Sequence, residues 1–175
     1  MSQPEWWLRG PVPGVPPALM PAAHALLQTV DDVAAALEAL TADEVWIRPD
    51  DAVASCGFHA VHAAGATDRL LTYARGETLS AARREDLTKE RALDERLPAD
   101  ALVAKLRATV DGALDQLRAT DVSTLQDERK VGRAGLPATV LGLLFHAAEH
   151  AQRHAGQITT TSRLVMARRA VQSQH

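Results

Sequence analysis

Pro98-Ala-Asp-Ala-Leu102-Val-Ala-Lys-Leu106-Arg-Ala-Thr-Val110-Asp-Gly-Ala113-Leu114-Asp-Gln-Leu117 is the stretch from which the fold can be read. Its apolar residues Leu102, Leu106, Val110, Ala113, Leu114 and Leu117 recur every three or four positions. That is the period of a helix burying one face. Pro98 suits the start of such a helix, where a missing N–H costs nothing, and Thr120-Asp-Val-Ser123 ends it.

Working outward, the same period appears once more. Toward the N-terminus, Leu26, Val30, Val33, Leu37 and Leu40 predict a first helix over about residues 18–40, with Pro21 tolerated in its first turn. Thr41-Ala-Asp-Glu44 predicts a short capped turn, and residues 46–54 a loop turning at Pro49-Asp50-Asp51. Ser55 is placed to cap a second helix that runs to about Arg75 and stops at Gly76. Toward the C-terminus, a polar stretch with Gly132 and Gly135 leads to a fourth helix, from near Pro137 to about Ala170. Arg163, Arg168 and Arg169 fall at its end, where cations complement the helix dipole.

Residues 77–97 are densely charged, from Glu77 through Arg83, Arg84, Glu85, Asp86, Lys89, Glu90, Arg91, Asp94, Glu95 and Arg96. They read as a solvated connection in which a helical turn can form. No strand cluster or internal repeat is visible. The reading is all-α: a four-helix bundle with two long connections, at 41–54 and 76–97, that do not force a simple up-down order.

Composition agrees. Among 175 residues only three Trp, one Tyr and two Phe are aromatic, so the core must be Leu, Ala and Val, which suits helix packing. A net charge of −3 offers no basic stripe for nucleic acid. A single cysteine, Cys56, forbids an intrachain disulfide and fits a reducing compartment. No apolar run approaches the roughly 18 residues of a membrane span, and the N-terminus lacks a secretory signal pattern. The expected location is the cytoplasm. Six of the nine prolines lie between Pro4 and Pro21. The expected organisation is a Pro-rich arm at 1–17 pinned through Trp6 or Trp7, the bundle at 18–170, and a tail at 171–175.

Five of the seven histidines fall in two segments, Phe58-His59-Ala-Val-His62 and His146-Ala-Ala-Glu149-His150-Ala-Gln-Arg-His154. Residues four apart on a helix are separated by about 40° and about 6 Å, so two imidazoles at that spacing can share one ion. His146 and His154 are about 12 Å apart along the axis and cannot. The fourth helix therefore offers His146 with His150, or His150 with His154. A third ligand must come from His59 or His62, and the residues alone do not choose. The competing reading of each histidine is an ordinary hydrogen-bonded role. Cys56, about 240° from His62 around the helix, points away and reads as a small buried residue. His24 reads as packed, Glu149 as orienting a neighbour, and Gly156-Gln157 as close packing near the site.

These segments resemble the DinB-like family of helical bundle proteins, the DinB/YfiT-like metalloenzymes. Ser55-Cys-Gly-Phe-His-Ala-Val-His62 is similar to the start of that family's second helix. His146-Ala-Ala-Glu-His150-Ala-Gln-Arg-His154-Ala-Gly-Gln157 is similar to its fourth-helix signature, and Arg75-Gly76 is also familiar. The resemblance spans about residues 18–165. It implies a crossed-over bundle and, by motif position, His62, His150 and His154 as ligands of one divalent metal ion. His59 and His146 become neighbours. Zinc or nickel is expected foremost, with iron or manganese as alternatives, since imidazole suits several. The resemblance further implies a metal-dependent enzyme, either a thiol transferase or a hydrolase. Two other readings are a non-catalytic metal-stapled stress-response protein and a plain helical interaction module. The expected partners are a small-molecule substrate with a low-molecular-weight thiol as candidate, no nucleic acid, no membrane, and a homodimer as one oligomeric state.

Overall fold

The second predicted helix shows how locally this fold is encoded. Ser55 Oγ accepts from the Phe58 backbone N–H at 3.2 Å, capping a helix over Cys56–Ala74. Gly76, at φ 78°, turns the chain out of it. A computed structural model describes residues 3–92 and 96–172. Five helices run in chain order: α1 Met20–Glu38, α2 Cys56–Ala74, α3 Ala81–Ala92, α4 Ala99–Ala119 and α5 Val140–Gln172. Thr41 and Glu44 form a reciprocal capping pair before a short 3-10 turn at Glu44–Trp46. Asp94 and Glu95 of the charge run, and positions 173–175 of the tail, lie outside the described residues.

Helices α1 and α2 each pack against both α4 and α5, while α1 and α2 lie across the core from one another. Chain neighbours that sit diagonally need a long connection, which accounts for residues 39–55. The shared core is Leu26, Val30, Val33 and Leu37 of α1, Leu102, Leu106, Val110 and Leu117 of α4, and alanines of α2 and α5. No described helix is long and apolar enough to cross a membrane.

Three features differ from the sequence reading. Residues 124–139 contain a hairpin: β1 Glu128–Val131 pairs antiparallel with β2 Leu136–Thr139, in register Val131↔Leu136. The turn uses Gly132 and Gly135 at φ 67° and 60°, a conformation glycine adopts without penalty. Strands of four residues carry too little alternation to declare themselves. For the same reason the last helix begins at Val140 rather than at Pro137, which is paired in β2. Finally, the charged connection holds a full helix, α3. Its segment has no Gly or Pro, Ser80 Oγ accepts from Arg83 N–H at 3.2 Å, and Glu85 pairs with Lys89 at 2.9 Å across one turn.

The Pro-rich arm is held by Trp6. Its backbone N–H donates to Gln28 Oε1 at 3.0 Å, and its indole Nε1–H to Asp31 Oδ2 at 2.7 Å. Trp7 stays 64% exposed, its indole bonded to Glu5. At the far end of the molecule, Arg169 of α5 reaches Glu44 at 3.1 Å.

Candidate metal centre

Helix α2 brings His59 and His62 to α5, and α5 brings His150 and His154 to α2. His62 Nε2 lies 3.1 Å from His150 Nε2, and His154 Nε2 lies 3.2 Å from the same atom. One nitrogen from each of these three residues falls within 4.8 Å of the other two. The imidazoles of His150 and His154, one turn apart, meet at a ring angle of 75°. His59 approaches from behind: its Nδ1 is 3.0 Å from His154 Nδ1, the nitrogen turned away from the convergence point.

The donor set can be tested for an ion by asking where the protons sit. His62 Nδ1 faces Glu90 Oε1 at 2.5 Å. A carboxylate only accepts, so Nδ1 carries the proton and Nε2 presents a lone pair. His154 can likewise donate from Nδ1 to His59 and present a lone pair at Nε2. His150 Nδ1 is buried without a partner. Two nitrogen lone pairs about 3 Å apart repel unless a proton or a metal cation lies between them. Bonds of about 2.0–2.1 Å in a tetrahedral site set ligand nitrogens about 3.3 Å apart, close to the spacings observed. The three histidines fit a divalent ion.

Burial favours the neutral form of His150 and His154. The His154 imidazole is pushed down to about 3 by burial, then by neighbouring His62, His150 and His59. Burial first, then His62, lowers His59 as well, and the same two influences act on His150 with His146 and Arg153 added. A neutral imidazole is the ligating form. Glu90 is opposite in kind. Burial raises its carboxyl, but hydrogen bonds from His62 and Arg69 and the Arg69 charge outweigh that and hold it low. Arg69 Nη1 donates to Glu90 Oε2 at 2.9 Å.

The centre is not sealed. The His62 side chain is 26% exposed and His150 is half-buried. Phe58 stacks on His62 with ring centroids 5.7 Å apart. Behind it, Gly57 lies against Trp46: a Cβ there would sit 2.7 Å from the indole, so glycine is what lets that ring close over the start of α2.

A model of the DinB superfamily matches residues 25–158, which include most of α1, all of α2, α3, α4 and the hairpin, and the histidine-bearing part of α5. The chain belongs to the DinB superfamily. No curated protein matches it. Among solved structures, a conserved protein from Enterococcus faecalis superposes with a TM-score of 0.70 at 19% identity, over 83% of this chain and 95% of that one. That likeness establishes a shared fold and nothing about activity.

For this DinB-superfamily chain, the structure brings His62, His150 and His154 together and leaves His146 outside. His146 is half-exposed and pairs with Glu149 at 3.2 Å, and Glu149 also binds Arg153. Cys56 is buried, its thiol 3.6 Å from the Ile158 carbonyl and raised to about 11 by burial. His24 bonds the Gly10 carbonyl at 2.9 Å. Gly156 and Gln157 are exposed, and a Cβ on Gly156 would meet open space, so close packing does not explain that pair. Nearby on α5, half-buried Gln152 donates to Thr29 Oγ1 at 3.0 Å. His59, expected as a neighbour of the site, stands behind His154, whereas Glu90 reads in the sequence only as part of a solvated charge run. For Glu90 the available signal was Ser80 followed by seventeen residues without Gly or Pro.

Proposed function

We propose that the chain is a metal-dependent enzyme built on a four-helix bundle with long crossover connections, and that it transfers a low-molecular-weight thiol to an electrophile. The carrying observation is the convergence of three imidazole nitrogens on one partly open point. His62, His150 and His154 would hold the ion, with zinc or nickel preferred. A bound divalent ion supplies Lewis acidity and lowers the pKa of a thiol or water beside it.

The protein's own residues set the rest. Glu90 fixes the His62 ring and His59 backs His154, so two of the three imidazoles are oriented from behind. The carboxylates nearest the centre are engaged: Glu90 by His62 and Arg69, Glu149 by His146 and Arg153. Neither is placed to take a proton from water. A thiol, once deprotonated, is itself the nucleophile and needs no carboxylate base, which favours thiol transfer over hydrolysis. The single buried cysteine is compatible with a cytoplasmic setting.

The test uses metal-loaded protein with glutathione, bacillithiol or mycothiol and a chlorinated aromatic electrophile. The thiol gives up its proton, a carbon–sulfur bond forms and chloride leaves. Turnover that chelator abolishes supports the reading. Metal-dependent ester or amide hydrolysis without thiol turnover replaces it with the hydrolase. Neither activity, with only a lower melting temperature on metal removal, leaves a metal staple.

A further inference from the structure

Glu90 is the acidic residue of α3 that sits deepest, 7% exposed in a helix otherwise lined with solvated charge. Helix α2 makes a socket for it. His62, Gly65 and Arg69 stand at three- and four-residue steps, on one face. Oε1 meets His62 Nδ1 at 2.5 Å, and Oε2 accepts from Arg69 Nη1 at 2.9 Å. Between them, a Cβ on Gly65 would lie 2.5 Å from Oε2, so a larger residue there would push the carboxylate out of this seat. A second ion pair, Arg83 with Asp68 at 2.6 Å, holds the other end of α3 to α2 without touching a histidine.

We propose that Glu90 is a positioning residue: seated between Gly65 and Arg69, it holds His62 with its proton on Nδ1 and its Nε2 lone pair aimed at His150 and His154, and so raises the site's affinity for metal. The proposal rests on the metal-binding reading above. Its logic is that a free imidazole divides its proton between two nitrogens and rotates, whereas a ligand must present one chosen lone pair in one direction. A carboxylate locked by an arginine supplies both constraints. Helix α3 is thereby part of the metal centre although it donates no ligand.

Zinc affinity is measured by competition with a chromogenic chelator on the full chain, and the His62 tautomer by nitrogen-15 NMR of the metal-free proteins. Glu90→Ala should weaken zinc binding about 10- to 100-fold, with the His62 proton no longer confined to Nδ1. Glu90→Gln, which keeps the volume and an accepting oxygen, should lose less, and it serves if the alanine variant fails to fold. Gly65→Ala should weaken zinc binding in the wild-type background and add nothing to Glu90→Ala. Arg83→Ala, which loosens α3 away from the histidines, should leave zinc affinity unchanged. Wild-type affinity in Glu90→Ala overturns the proposal. So does a Gly65→Ala loss that persists in that background, or an Arg83→Ala loss as large as that of Glu90→Ala. If the wild-type chain takes up no zinc, the metal reading fails. The NMR result still separates the two, because an Nδ1 proton retained in metal-free Glu90→Ala refutes the positioning itself.

Discussion

Helices α1 and α4 face each other with large side chains, whereas α2 and α5 face each other with small ones. The first pair buries Leu26, Val30, Val33 and Leu37 against Leu102, Leu106, Val110 and Leu114. The second buries Ala60, Ala63 and Ala64 on one side and Ala147, Ala148, Ala151 and Ala155 on the other. Interaxial distance follows the size of the side chains at the contact. Alanine lets α2 and α5 approach, so imidazoles from opposite helices can reach within 3.1 Å. The large apolar side chains meet in one seam, and the candidate metal centre lies in the other.

The largest expected effect separates the seams outright. His150→Ala should abolish zinc binding by isothermal titration while changing the stability of the metal-free protein little, and His146→Ala should retain zinc. Equal retention in both variants would remove the α2–α5 seam as the metal site. In the other seam, Leu106 is fully buried, and Leu106→Ala should cost about 2–5 kcal/mol in urea unfolding. Whatever remains folded should bind zinc as tightly as wild type.

The dependence on small side chains can be sharpened with Ala151→Leu. Overpacking there should cost about 1–3 kcal/mol and, by wedging the helices apart, weaken zinc binding as well. Undiminished zinc affinity would show that alanine is not what sets the approach.

Acid should distinguish the seams more gently. His154 titrates at about 3 in the folded chain against an ordinary 6.5. Between those values the unfolded chain holds a proton that the folded one does not. The metal-free protein should therefore lose about 1.4 kcal/mol per pH unit as pH falls below about 6.5. The lowered His59 and His150 steepen this in the same direction. Urea midpoints at pH 7 and 5.5 measure it, and a flat profile would mean that the imidazoles are already solvated.

Much of this was legible residue by residue. Ser55 and Gly76 bracket α2 as their chemistry predicts, and the leucine period of α4 places it to within a residue or two. The hairpin was not legible, because four-residue strands such as Glu128–Val131 carry no usable alternation. Nor was α3 read as a helix, since its face toward α2 is marked by one glutamate among many charges.

By itself, then, the sequence determined the long helices, their buried faces and the two histidine clusters. Caps, turn glycines and a 3.6-residue period are local properties that act whatever else the chain does. Only the tertiary structure decided that His62 faces His150 and His154 at Nε2 while His59 lies behind His154, and that Glu90, far along the chain, seats against His62. Those outcomes depend on how far α2 is rotated about its axis against α5 and on where α3 docks. Rotation and docking are set by packing across the whole core, which no local pattern encodes.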